Sequence, residues 1–175
     1  SLGAKVGGKS AGCVADMTTY SFHPVKSITT GEGGAVVTNN AEYARLLRLF
    51  RTHGITKETA SLKRKNQGAW YMEQQALGYN YRLPDINAAL GESQLKRLKQ
   101  FIARRTAAAR RYDRLLKDIA AITLPQSDTA KNRSAWHLYT VRVAPKKHRR
   151  VFDALRKSGL GVHVHHIPAY LHPYY

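Results

Sequence analysis

Between two β-prone runs, Thr18-Thr19-Tyr20-Ser21-Phe22 and Ala35-Val36-Val37, the chain carries His23-Pro24-Val25-Lys26-Ser27-Ile28-Thr29-Thr30-Gly31-Glu32-Gly33-Gly34. This stretch constrains the fold more than any other. β-branched and aromatic residues suit a pleated, half-buried surface, whereas Pro24 and the three glycines punctuate regular structure. The first run reads as a short buried strand that ends at the polar segment. The second reads as a strand over residues 33–38. Between them sits one lysine among Ser21, Ser27, Thr29 and Thr30. A lysine in such company is placed for chemistry rather than for packing.

Most lysines are solvated surface charges, and only context argues otherwise here. An amine becomes a nucleophile toward an aldehyde when desolvation or nearby cations favour its neutral form. Lys26 therefore reads as the amine that holds an aldehyde cofactor, with Ser21, five residues earlier, as a donor to a cofactor phosphate. A Ser-x-x-Lys hydrolase pattern is absent, because His23 stands three residues before the lysine. Gly31 to Gly34 match neither the dinucleotide fingerprint nor the P-loop. They suit tight turning and close packing instead.

An apolar fraction of 43% over 175 residues is ordinary for a globular chain and allows one domain or parts of two. No apolar run approaches the roughly 20 residues that a membrane helix needs. The single cysteine, Cys13, excludes an internal disulfide and a cysteine zinc cluster, and fits the cytoplasm. A net charge of +18 attracts polyanions through a long-range, salt-screened term. It equally draws in a small phosphorylated substrate. The chain opens at Ser1 without an initiator Met or a leader, and stops at His172-Pro173-Tyr174-Tyr175. Both ends are expected to be cut.

Asn39, three residues before Glu42, has capping-box spacing and predicts a helix to about Arg51, with Ala44, Leu47 and Phe50 on one face. Residues 52–77 lack a sustained period and read as a long loop of the kind that carries function. Pro84 and Asp85 predict the start of a long helix reaching about Lys117, Pro being favoured at a first helical position. Within it, Gly91 costs about 1 kcal/mol relative to Ala and predicts close approach of another backbone. A polar linker over 123–134 marks a domain boundary. A strand over 136–143, a helix over 149–157 and a strand over 162–167 then form a small α/β unit.

His163 and His165 are expected to share one strand face, with His166 pointing away. No Asp, Glu or Cys nearby completes a metal set, so binding of an anionic or hydroxyl-rich substrate is the better reading. His137 reads as a satisfied strand histidine. Nine cations between Lys96 and Lys117 offer a rival reading, a nucleic-acid-binding module built on the basic helix 94–117. A solvated helix face accounts for them more simply, and no nucleic acid is expected as a partner.

Three sets of residues resemble one known family. Ser21-Phe22-His23-Pro24-Val25-Lys26, the following Thr29-Thr30-Gly31-Glu32-Gly33-Gly34-Ala35-Val36-Val37-Thr38, and Gly78-Tyr79-Asn80-Tyr81-Arg82 are similar to the DegT-type nucleotide-sugar aminotransferases. Trp70 to Gly78, Ser134 to Tyr139 and Val162 to Pro168 resemble the branch that works in pseudaminic-acid biosynthesis, where flagellin and surface glycans are the destination. The resemblance runs in order along essentially the whole chain.

It implies an α/β fold, that of type I pyridoxal-phosphate aminotransferases. Residues 1–122 would be the C-terminal part of a large domain with a mainly parallel sheet, including the long inter-domain helix. Residues 123–175 would begin a small C-terminal α/β domain. Lys26 would hold pyridoxal 5′-phosphate covalently and, once displaced, move protons as a general acid/base. Ser21 would bind the cofactor phosphate and border the substrate. Asn80 would reach the phosphate of the partner subunit's cofactor in a homodimer. His163, Val164, His165 and His166 would line the sugar-nucleotide site, although the family usually carries Tyr where this chain has His166. The implied reaction moves an amino group from L-glutamate to C4 of a UDP-linked 4-keto-6-deoxy-N-acetyl-hexosamine. The family's aspartate for the pyridine nitrogen falls before the position matching Ser1, so the chain is expected to be an inactive fragment, about the middle half of the enzyme.

Overall fold

Hairpins dominate the strands. The computed structural model describes residues 1–175. In it β1 (Lys5–Val6) and β2 (Lys9–Ser10) are joined by the Gly7-Gly8 turn, with φ of 58° and 81° at the two glycines. β3 (Thr18–Ser21) pairs antiparallel with β4 (Gly34–Val37), from Thr18↔Val37 to Ser21↔Gly34. Its side chains alternate between half-buried and exposed rather than being buried throughout. The last pair needs a glycine, since a Cβ at Gly34 would lie 2.7 Å from the Tyr20 carbonyl oxygen. The polar segment 22–33 thus leaves and re-enters the same end of a two-stranded ladder.

Next, α1 (Ala41–Arg51) begins at Asn40 rather than Asn39. Asn40 Oδ1 accepts the N–H groups of Glu42 (2.9 Å) and Tyr43 (3.1 Å), satisfying donors that a helix start leaves open. Glu42 makes no capping box and pairs instead with Arg45 at 2.7 Å. Beyond α1, β5 (Ile55–Thr56) pairs antiparallel with β6 (Glu73–Gln74), so the expected loop 52–77 is a hairpin with a long tip.

The expected continuous helix 84–117 is two helices, α2 (Asp85–Lys96) and α3 (Leu98–Leu116), interrupted at Arg97. Pro84 is the residue before the first helical turn, with φ −60° and ψ 147°. Gly91 is buried, and its close neighbour is the Thr30 side chain rather than a backbone. Further on, β7 (Ile122–Thr123) pairs with β8 (Arg142–Val143), and α4 (His148–Lys157) follows. Only Arg142 and Val143 of the expected strand 136–143 join a ladder, and residues 162–167 form no strand.

No large, mainly parallel sheet is present. All four sheets have two antiparallel strands. A parallel pair needs a crossover that returns to the same sheet. Here α1 leads from β4 to β5, which pairs with β6, so no crossover closes. The fold is α/β with small antiparallel sheets.

Two compact units divide the chain, Ser1–Arg111 with Ser127–Leu138, and Tyr112–Gln126 with Tyr139–Tyr175. In the first, Ile28, Leu49, Ala109, Ala135 and Trp136 are the buried apolar residues. Residues 127–138 join it because Lys5 and Arg133 exchange both backbone hydrogen bonds, at 2.9 and 3.0 Å. In the second, Tyr139 stacks on Tyr112 (ring centroids 5.0 Å apart) and donates its hydroxyl to Asp113 Oδ1 at 2.6 Å. No helix is long and apolar enough to cross a membrane.

Candidate functional site

The lysine segment is a folded loop held by its own hydroxyls. Phe22 N–H donates to the Gly33 carbonyl (2.9 Å), and the Phe22 carbonyl accepts from Thr30 N–H (3.0 Å) and Thr29 Oγ1 (3.2 Å). Lys26 N–H closes a turn on the His23 carbonyl at 2.9 Å. Thr30 Oγ1 donates to the Glu32 carbonyl at 2.7 Å, and Gly31, at φ 79°, turns the chain back toward β4. Ser27, Ile28 and Thr30 are buried, which leaves the neighbouring Lys26 half-buried. From α2, Asn87 Nδ2 donates to the Thr30 carbonyl and anchors the loop to the helix. The hydroxyls that looked chemical in the sequence therefore divide, with Thr29 and Thr30 building the loop.

Ser21 and Lys26 meet at one cavity of about 180 Å³, lined also by Ser1, Leu2, Thr19, Tyr20, Ser27, Ile28 and His137. Ser21 is exposed at the end of β3, where its Oγ accepts a long bond from His23 N–H at 3.4 Å. An amine, hydroxyls and an imidazole share a wall with Leu2 and Ile28. This donor set fits an aldehyde-bearing, phosphorylated ligand, since the amine can meet a carbonyl carbon and the hydroxyls can donate to phosphate oxygens. Whole small-molecule sites start at about 300 Å³, so the cavity matches one wall of such a site.

Asn80 does not line this cavity. It sits in an isolated bridge with Thr52, flanked by Tyr79 N–H on the Phe50 carbonyl (2.7 Å) and Tyr81 N–H on the Arg51 carbonyl (2.9 Å). Tyr79 and Tyr81 stack with centroids 4.8 Å apart. Both rings are exposed. His163, Val164, His165 and His166 are exposed and belong to the second unit. The expected strand face is absent there, and the rings of His165 and His166 approach at 4.4 Å while His163 and His165 stand 6.2 Å apart. No group of three or more His, Cys, Asp or Glu residues could hold a metal ion.

Two residues carry weight that their spacing concealed. His137, expected as a strand histidine, lines the same cavity as Lys26, following a backbone turn at Trp136, where φ is 48°. Glu73 clasps the hairpin tip, its carboxylate accepting the N–H groups of Lys63 and Arg64 at 2.7 Å each. Those two donors hold its carboxyl down at about 2. In the basic helix, Arg105 donates to the carbonyls of Trp136 and His137 at 3.2 Å each.

The profile of the DegT/DnrJ/EryC1/StrS aminotransferase family matches residues 1–175. A UDP-4-amino-4,6-dideoxy-N-acetyl-beta-L-altrosamine transaminase of Campylobacter jejuni is 39% identical over 178 residues, covering 99% of this chain and 44% of that protein. Among solved structures, Helicobacter pylori PseC, an aminotransferase involved in the biosynthesis of pseudoaminic acid, is 36% identical with a TM-score of 0.86, covering 100% of this chain and 45% of its own. The Escherichia coli GDP-4-keto-6-deoxy-D-mannose-3-dehydratase with bound hydrated PLP is 25% identical with a TM-score of 0.79, covering 91% and 42%. The chain spans less than half the length of these relatives.

Proposed function

Because this chain belongs to the DegT/DnrJ/EryC1/StrS aminotransferase family, we propose that it forms part of a pyridoxal-phosphate-dependent sugar aminotransferase, with Lys26 as the cofactor-holding amine. The observation that carries this reading is the shared cavity of Lys26 and Ser21 at the open end of β3 and β4. Pyridoxal phosphate, when bound, supplies an electron sink for charge left at a substrate carbon as its proton departs. Lys26 Nζ would hold the cofactor and, once displaced by an amino donor, would move the proton from the donor's Cα to the cofactor's C4′ position as a general acid/base. Ser21 Oγ donates to the phosphate. A dehydratase reading is disfavoured, because that chemistry goes with replacement of the lysine, and Lys26 is present.

The sugar substrate is a UDP-linked 4-keto-6-deoxy-N-acetyl-hexosamine, a reading supported by the name of the Campylobacter relative, and the donor is L-glutamate. In this reading the product is destined for pseudaminic acid. The working enzyme is a homodimer in which Asn80 serves the partner's cofactor. One observation supports that: Asn80 does not line the cavity of its own Lys26. Addition of pyridoxal phosphate should give an absorbance band that borohydride fixes at Lys26. A band that persists undiminished in Lys26→Ala would sink this reading.

A further inference from the structure

Trp136 has a left-handed backbone, φ 48°, a costly conformation for a bulky residue that persists only where its surroundings over-determine it. Here they do. Trp136 N–H donates to Ser134 Oγ (3.0 Å), and its indole N–H to Asp128 Oδ2 (3.2 Å). Asp128 Oδ1 accepts the Ser134 N–H at 2.8 Å. Arg105 Nη1 bonds the Trp136 and His137 carbonyls at 3.2 Å each. Ala135 is 0% and Trp136 8% exposed. This bracing brings His137 to the wall that holds Lys26 and Ser21. Burial of the indole accounts for the packing, but not for a histidine on the cavity side of the turn.

We propose that His137 is a ligand-contacting residue of the lysine cavity, its imidazole donating a hydrogen bond to an anionic oxygen of the molecule that meets Lys26. The proposal rests on the reading of Lys26 given above. An imidazole can offer an N–H whether neutral or protonated, and a bond to an ionised acceptor is roughly twice as strong as a neutral one. Two sources offer such an oxygen, the cofactor phosphate and the carboxylate of the amino donor.

The test titrates the 175-residue chain with pyridoxal phosphate, with pyridoxal, and with pyridoxal phosphate followed by glutamate. The ring protons of His137, assigned by their loss in His137→Gln, are followed by NMR, and borohydride-reduced samples are analysed for modification at Lys26. A His137 shift with pyridoxal phosphate but not pyridoxal supports the proposal with phosphate as the source. A shift that awaits glutamate supports it with the carboxylate as the source. Affinity for that source should fall about tenfold in His137→Ala, with His137→Gln retaining most of it. If Lys26 is modified while His137 stays unmoved, or moves equally with pyridoxal, the role of His137 is overturned and the lysine reading stands. If Lys26 is never modified, both fall.

Discussion

Gly91 of α2 lies against the methyl group of Thr30, so that a Cβ at position 91 would stand 2.8 Å from Thr30 Cγ2. Thr30 is 1% exposed and its hydroxyl is committed to the Glu32 carbonyl, so its methyl group cannot simply swing away. One turn earlier, Asn87 reaches the Thr30 carbonyl. The helix therefore seats the lysine loop through a glycine contact and an amide.

Gly91→Ala should destabilise the protein, although alanine favours the helix by about 1 kcal/mol. Overpacking costs about 1–3 kcal/mol and should win. Thr30→Ser removes the methyl and keeps the hydroxyl, so the double variant should recover most of the loss. Urea unfolding of all four proteins gives the coupling, expected to be at least about 0.5 kcal/mol. Strict additivity would refute the contact.

Asn87→Ala should cost about 1 kcal/mol through loss of its bond to the buried Thr30 carbonyl. Lys26 capture by pyridoxal phosphate should slow in this variant, because the loop that presents the amine loses its anchor. Capture at the wild-type rate would mean the loop holds its form without α2.

At Glu73, the backbone N–H of Lys63, then that of Arg64, keep the carboxyl at about 2 against an ordinary 4.5. A depressed folded value means that the clasp contributes fully above about 4.5 and is lost as pH falls through about 2. The amide resonances of Lys63 and Arg64 should titrate with a midpoint near 2, and Glu73→Gln should abolish that step. A midpoint at the ordinary value would show the clasp to be open in solution.

The hydroxyl of Tyr139 is pushed up to about 12, by burial first and then by its bond to Asp113. A raised folded value makes its contribution complete below 10.0 and lost as pH rises through about 12. In Asp113→Asn the tyrosinate absorbance, read as the difference from Tyr139→Phe, should appear at lower pH. It should not fall all the way to 10.0, because burial remains.

Gly54→Ala should be among the most damaging single changes. Position 54 has φ 68°, and an added Cβ would run into the Ala76 carbonyl. Gly78→Ala should behave similarly, its Cβ meeting the Gly54 backbone. Soluble expression and thermal unfolding would report the loss, and a wild-type midpoint in either would contradict the close approach.

The lysine segment was legible because its chemistry is local. Ser21, Lys26 and the glycines occupy one short run, and β3 and β4 follow from their composition. His137 was not legible. Its place depends on a backbone turn at Trp136 that Arg105 and Asp128 stabilise, and neither spacing nor propensity carries those contacts. The parallel sheet failed as an expectation for a related reason: strand composition leaves the pairing partner open, and the path taken by the chain after α1 decides it.

By itself, the sequence determined the family and singled out Lys26 and Ser21 as the candidate pair, since these lie within a few residues and need no knowledge of distant contacts. Only the tertiary structure decided which hydroxyls build the loop, that α2 anchors it through Gly91 and Asn87, and that His137 lines the same cavity as Lys26. Those outcomes depend on segments far apart in the chain, which burial and hydrogen bonding bring together and local pattern does not record.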